Sequence, residues 1–350
     1  MIMKLKNRTI RILYALATGG DRATKDIITA LASDLDVSAI TLQRDLAALT
    51  KSNLILRTGS GPSTKYSITA KGRIFLPVNA KLYCEELPDT RIKPTGYDFN
   101  FFHQIKFPIF STNELAILNA STTIYKKKHQ RGATVAVKKE LERFIIELAW
   151  KSSRIEGNTY NLLDTEKLLI QGIQARGHSK DEATMIINHK KAFDYIFENK
   201  NLFKKLTSKE IEAVHHHLVA GLGVRFGIRK TMVGITGTAY EPLSNPFKIA
   251  EALRDLCATV NHLKNVFDKS LLTLAGIAYI QAFEDGNKRT SRLMANAVLL
   301  AHGAAPISYR SINEDDYRDA ILVFYELRSL EPLKKLFIEQ YQFAAGHYSI

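Results

Sequence analysis

Between two apolar segments, Leu271 to Ile280 and Leu293 to Leu300, the chain reads Gln281-Ala282-Phe283-Glu284-Asp285-Gly286-Asn287-Lys288-Arg289-Thr290-Ser291-Arg292. These residue types suit an anion. Arg289 and Arg292, three apart on a first helical turn, share a face and can grip phosphate oxygens in forked pairs. Asp285, at the mouth of the loop, is a hard oxygen ligand of the kind Mg²⁺ takes beside nucleotide phosphates. Gly286 and Asn287 tolerate the backbone twist that turns successive N–H groups into one hollow.

The elements on either side must hold this loop still. Leu272, Ala275, Ile277 and Ile280 recur at roughly helical spacing and lead into it, and a second helix opens out of it. The start of that helix offers unpaired N–H groups and the positive end of a dipole, a natural phosphate seat. Asp-Gly-Asn-Lys alone would also fit an ordinary polar loop between core helices; the ordered arginine pair makes the difference. A P-loop is excluded, because Gly-Asn-Lys lacks the Gly-Lys-Ser/Thr order and the preceding segment is helical.

The stretch resembles the Fic family signature, His-x-Phe-x-Asp/Glu-Gly-Asn-Gly/Lys-Arg-x-x-Arg, at Phe283, Asp285, Gly286, Asn287, Lys288, Arg289 and Arg292. Fic proteins mostly transfer AMP from ATP to a protein hydroxyl. The resemblance implies that Phe283 anchors the loop, that Asp285 holds Mg²⁺, and that Gly286, Asn287, Lys288, Arg289 and Arg292 line a site for ATP or another nucleotide. One position departs: Gln281 stands where the family has its catalytic His. A carboxamide can position a hydroxyl but has no useful basicity near neutral pH.

A second constellation lies upstream. Glu140 to Glu156 reads as an amphipathic helix with Leu141, Phe144, Ile145, Leu148 and Ala149 on one side, stopped by Gly157. Glu156 is then a carboxylate at the negative end of a helix dipole, unfavourable unless a cation answers it. Ser152 lies four residues back on the same face. Ser152, Glu156 and Gly157 resemble the Fic inhibitory motif Ser/Thr-x-x-x-Glu-Gly/Asn. The resemblance implies that Glu156 pairs with Arg292 and blocks the ATP γ-phosphate.

The chain has 350 residues, 45% of them hydrophobic and 24% charged, with room for two or three domains. No apolar run is long enough to span a membrane and no signal peptide opens the chain, so a cytoplasmic location is expected. Cys84 and Cys257 form no disulfide framework. A formal net charge of +14 leans toward an anionic partner.

The first residues read as three short helices: about Thr9 to Thr18, a second capped by Thr24 and burying Ile27, Ile28 and Leu31, and a third capped by Ser38 after an Asp34-Leu35-Asp36 turn. In the third, Leu42, Leu46 and Leu49 face inward while Thr41, Gln43 and Arg44 can reach bases or phosphates. Strands at Leu54 to Arg57 and Lys65 to Thr69 complete a winged helix. Val37 to Leu46 resembles the recognition segment of bacterial winged-helix repressors, although the same fold also serves protein docking.

From Phe75 to about Gln130 four prolines break the pattern, and Phe99, Phe101, Phe102 and Phe107 suggest a linker packed on a neighbour. Lys180 to Asn199 reads as a helix, and Ser208 as the cap of another bearing His215, His216 and His217, which point about 100° apart and cannot share a metal. Arg229 to Pro242 is β-prone and broken by glycines, and suggests a hairpin. It resembles the Fic flap, which implies that Val233, Gly234, Ile235 and Thr236 pair with a target segment as an added strand. Helices are expected at Pro246 to Leu263, Glu314 to Tyr325 and Pro332 to Ala344.

The expected architecture is mainly α: a winged helix-turn-helix domain at residues 1–76, a connecting segment at 77–139, and a helical Fic core with a β-hairpin flap at 140–350, its inhibitory helix at about 140–158. Expected partners are a nucleotide with Mg²⁺, DNA, a protein target at the flap, and a second copy of the chain. Three functional classes follow: an ATP-binding regulator with impaired transfer, an active AMP transferase autoinhibited by Glu156, and a non-enzymatic interaction protein. Gln281 favours the first.

Overall fold

Apolar residues recurring at helical spacing give helices through most of the chain, as the computed structural model shows for residues 5–32, 38–91, 95–131 and 134–350. In order the elements are α1 (Asn7–Gly19), β1 (Arg22–Ala23), α2 (Thr24–Ala32), α3 (Ala39–Lys51), β2 (Ile55–Thr58), β3 (Lys65–Ile68), α4 (Ala70–Ile74), α5 (Ala80–Glu85), α6 (Pro88–Arg91) and β4 (Thr95–Gly96). There follow α7 (Thr112–Arg131), α8 (Thr134–Ile155), α9 (Leu162–Gln171), α10 (Lys180–Glu198), α11 (Ser208–Val219), β5 (Tyr240–Glu241), α12 (Pro246–His262), α13 (Val266–Ile280), α14 (Asn287–Ala301), α15 (Glu314–Leu327) and α16 (Glu331–His347).

Two compact units share the chain. The first comprises Met1–Ile105, Ile235–Glu241 and Asp319–Leu333; the second comprises Lys106–Gly234, Pro242–Arg318 and Lys334–Ile350.

In the first unit three antiparallel strands run in the order β1-β3-β2, with Arg22 opposite Tyr66 and Ile55 opposite Ile68. Ser38 caps α3, its hydroxyl accepting from the Thr41 amide at 3.3 Å. Leu42, Leu46 and Leu49 are buried with Ile12, Leu13, Leu16 and Ile27. Ile28, expected inside, is instead 37% exposed, because adjacent helical positions diverge and Ile27 takes the core side. The Asp34-Leu35-Asp36 turn, Val37 and the side chain of Leu31 lie outside the described residues. Ala239, Val323 and Leu327 complete this core from distant parts of the sequence.

The second unit is built around α13, whose largely apolar run Leu271 to Ile280 is buried on every side. α14 and α12 cover it, the Ser270 hydroxyl donating to the Ala295 carbonyl of α14 at 3.0 Å, and α8, α10 and α11 close around α14. α11 is capped by Thr207 rather than Ser208, the Thr207 hydroxyl accepting from the Glu210 amide at 3.4 Å.

The β-hairpin expected at Arg229 to Pro242 does not form. Of that run only Tyr240–Glu241 is a strand, paired in parallel with Thr95–Gly96. Gly237 takes φ +83°, which breaks the extended backbone, and the amide of Ala239 bonds a buried carboxylate instead of a neighbouring strand.

Candidate functional site

α13 ends at Gln281, whose backbone takes the left-handed conformation (φ 52°, ψ 54°), costly for a residue other than glycine. The turn is held from two directions. The Gln281 side-chain Nε2 donates to the Ala278 carbonyl at 2.7 Å, capping the last turn of its own helix. Arg229 donates from Nε to the Gln281 carbonyl at 2.6 Å and from its backbone amide to the Ala282 carbonyl at 3.0 Å. The same buried guanidinium bonds the carbonyls of Thr231 and Leu243. Arg229 carried no sequence signal of this role beyond opening the β-prone stretch.

Beyond this turn Phe283 is fully buried, and Asn287 ties the loop shut: its Oδ1 accepts from the Phe283 amide at 2.9 Å and its Nδ2 donates to the Phe283 carbonyl at 2.8 Å. Asn287 therefore shapes the loop from within. His215 stacks on Phe283 with ring centroids 3.8 Å apart and planes 9° apart, and its Nε2 lies 2.9 Å from the Asp285 carbonyl. A carbonyl only accepts, so the proton sits on Nε2. Burial pushes the His215 pKa down to about 4, so the ring stays neutral. His216 and His217 point elsewhere on α11: His216 is exposed and meets Phe226 edge-on, and His217 lies against Tyr195.

Gly286 starts α14 at φ 79°, and an added Cβ would come within 3.1 Å of Val219, so any other residue there would be strained. No side chain caps the first turn of this 15-residue helix. Arg289 donates from Nη2 to Asp285 at 2.9 Å, while its buried Nη1 has no partner among the described residues. Uncapped amides and an unanswered buried guanidinium N–H fit an anion. The Asp285 side chain is 64% exposed, with one oxygen on the Gly286 amide, and suits a divalent cation that takes one carboxylate plus phosphate oxygens.

Arg292 has no exposed side-chain surface, and each nitrogen is engaged. Nε donates to the Ser152 hydroxyl and Nη2 to the Ser152 carbonyl, both at 2.8 Å; Nη1 donates to Glu156 Oε1 at 2.9 Å. Its guanidinium lies 5.5 Å from the centre of the Tyr317 ring. Lys288 Nζ reaches the second Glu156 oxygen at 3.2 Å. The carboxylate just past the C-terminus of α8 thus has two cations to answer the dipole. Burial raises the Glu156 pKa, but the charges of Arg292 and Lys288 outweigh it and leave the group below the usual carboxylate range. His189 on α10 is fully buried and held neutral by burial and by the nearby charges of Arg292 and Arg289.

The loop, the arginine pair and the fold now stand beside known proteins. Residues 205–299 match the Fic/DOC family. The chain carries a Fic/DOC family domain. Protein adenylyltransferase Fic of Aedes aegypti is 27% identical over 208 residues, 55% of this chain and 39% of that protein. The Drosophila erecta protein of the same name is 30% identical over 166 residues, 45% of this chain and 32% of its own length. The chain thus spans about two fifths or less of these curated relatives. Among solved structures, Caenorhabditis elegans Fic-1 superposes with a TM-score of 0.58 at 19% identity, over 67% of this chain and 71% of that one. A Fic domain containing signaling protein from Bacteroides thetaiotaomicron gives 0.54 at 20% identity, over 65% and 95%. The mainly helical Fic fold expected from the sequence is therefore present, and no described helix is long and apolar enough to cross a membrane.

Val233, Gly234, Ile235 and Thr236 of the expected flap lie in a partly to fully exposed segment, and Met232 beside them is 84% exposed. On α3, Gln43 and Arg44 are exposed and Thr41 is half-buried, its hydroxyl 2.9 Å from Ser38.

Proposed function

We propose that the chain is a Fic-type ATP-binding protein whose nucleotide site is held closed by Glu156 and whose AMP transfer is impaired at Gln281. One observation carries the reading: the buried Arg292 guanidinium, a phosphate ligand by its place in the loop, is occupied by Ser152 and Glu156 at hydrogen-bond distance. A γ-phosphate and the Glu156 carboxylate compete for the same N–H groups, so nucleotide binds productively only when Glu156 withdraws. Arg289 and the first-turn amides of α14 would receive the remaining phosphates, and Asp285 would hold Mg²⁺, which would supply positive charge near the leaving pyrophosphate.

AMP transfer joins a hydroxyl oxygen to the α-phosphorus, breaks the bond to pyrophosphate, and releases the hydroxyl proton. A basic nitrogen at residue 281 would take that proton. Gln281 has none, and its amide is turned back onto Ala278. An accepting protein segment docks at Val233–Thr236, the exposed flap.

The first unit fits a winged-helix DNA reader, with Gln43 and Arg44 outward on α3 and a chain charge of +14. The assembly is then a nucleotide-controlled regulator, with domains bounded near residues 76 and 139. Incubation of wild type, Glu156→Gly and Glu156→Gly/Gln281→His with α-labelled ATP and lysate tests it. Labelling is expected from the double variant and at most feebly from Glu156→Gly. Strong labelling by Glu156→Gly with Gln281 intact makes the chain an active transferase instead.

A further inference from the structure

Glu326, near the end of α15, is a charged residue inside an otherwise apolar run, Ala320 to Leu327, and its side chain is wholly buried. An isolated buried carboxylate is costly, and this one is saturated with donors. Arg91 approaches it as a fork, Nε to one oxygen and Nη2 to the other, both at 2.8 Å. Tyr83 donates its hydroxyl at 2.6 Å. The other two donors come from the flap: the Thr238 hydroxyl at 2.7 Å and the Ala239 amide at 3.1 Å. Arg91 also donates from Nη2 to the Gly237 carbonyl at 2.6 Å, which the left-handed turn at Gly237 aims toward it. Ala239 then enters the core that contains Leu42, Leu46 and Leu49 of α3, and Tyr240 stacks on Tyr325 at 5.6 Å.

We propose that Glu326, with Arg91 and Tyr83, is a positioning residue for target docking: it fixes Gly237–Tyr240, the trailing half of the flap, within the N-terminal unit. The docking function rests on the Fic reading above; the positioning does not. The segment that would receive a target is thereby governed by the same unit that carries the exposed face of α3. The neighbouring strand reaches this segment only at its end, where the Thr95 amide donates to the Ala239 carbonyl at 3.1 Å; the Gly237 carbonyl, the Thr238 hydroxyl and the Ala239 amide are met by the side chains of Arg91 and Glu326.

Peptide-resolved hydrogen exchange on the full chain tests this in wild type, Glu326→Gln and Thr238→Val. Thr238→Val removes the hydroxyl's bond to Glu326, and the bond it accepts from the Tyr240 amide at 3.1 Å, without touching the Arg91 pair. It should accelerate exchange at 235–241 severalfold, leaving 79–91 and 281–292 within twofold. Glu326→Gln should accelerate 235–241 and 79–91 together, tenfold or more, with the Kd for Mg-ATP within twofold. Unchanged exchange at 235–241 in both variants, or acceleration spread equally over α1 and α3, overturns the proposal. In the Glu156→Gly/Gln281→His background, Thr238→Val should raise KM for the protein acceptor severalfold with kcat within twofold; an equal fall of kcat with unchanged KM counts against it. A background that binds ATP but labels nothing refutes the transfer reading alone, since the exchange pattern still decides the positioning.

Discussion

Two buried arginine–glutamate pairs, one in each compact unit, are built to opposite ends. Arg91 and Glu326 are 2% and 0% exposed, joined by a two-pronged bond, and three further donors, from Tyr83, Thr238 and Ala239, meet the carboxylate. Arg292 is equally buried, yet Glu156 is 17% exposed and gives it a single bond. The saturated pair has no room for a competitor and serves as a weld. The other leaves one partner at the surface; on the function proposed above, an incoming phosphate would take its place and the pair would serve as a latch. Burial of the arginine is common to both; access to the carboxylate separates them.

The largest expected effect breaks the weld. Glu326→Ala leaves Arg91 charged and buried, and should cost about 3–5 kcal/mol in chemical denaturation. Glu156→Gly should cost clearly less, since its site opens to water, and equal losses from the two variants would erase the distinction.

Next comes the chemistry behind the latch. A positioned general base contributes about 10²–10⁴-fold, so adding Gln281→His to Glu156→Gly should raise labelling at least about tenfold. A double variant that binds ATP and shows no gain would place the defect elsewhere, in the flap or the acceptor.

Acid should also release the latch. The Glu156 pKa is depressed in the folded chain, so its pairing is complete above the unfolded value near 4.3 and is lost as pH falls through the folded value. The ATP affinity of wild type should therefore approach that of Glu156→Gly only below the ordinary carboxylate range. A gap between the two that closes already near pH 6 would point to another titrating group.

Away from both pairs, Arg44→Ala in the full chain should cost about 1–3 kcal/mol in duplex DNA affinity if Arg44 reads a base edge. Binding should also fall steeply with added salt. Salt-insensitive or absent DNA binding would favour protein docking by α3.

The contact of Arg292 with Ser152 and Glu156 was legible in the sequence because both halves belong to compact motifs: Ser152, Glu156 and Gly157 in one, Asp285 to Arg292 in the other. The helices of both units were legible from apolar spacing, with errors where one residue decides, as at Ile28 and the Thr207 cap. The weld was not legible. Its parts come from α5, α6, the flap and α15, and no local pattern links residues that far apart. The one available clue was Glu326 itself, a carboxylate amid Ala320 to Leu327 that demands a buried partner. The hairpin was misjudged for the same reason: β-propensity at Arg229 to Pro242 was visible, while the donors and acceptors that displace a strand ladder were not.

Calorimetry of Mg-ATP binding tests the central claim most directly, with wild type, Glu156→Gly and Arg292→Ala compared at neutral pH. The latch predicts tighter binding by Glu156→Gly than by wild type, and weaker binding by Arg292→Ala than by either. The same affinity for wild type and Glu156→Gly would mean that Glu156 closes nothing.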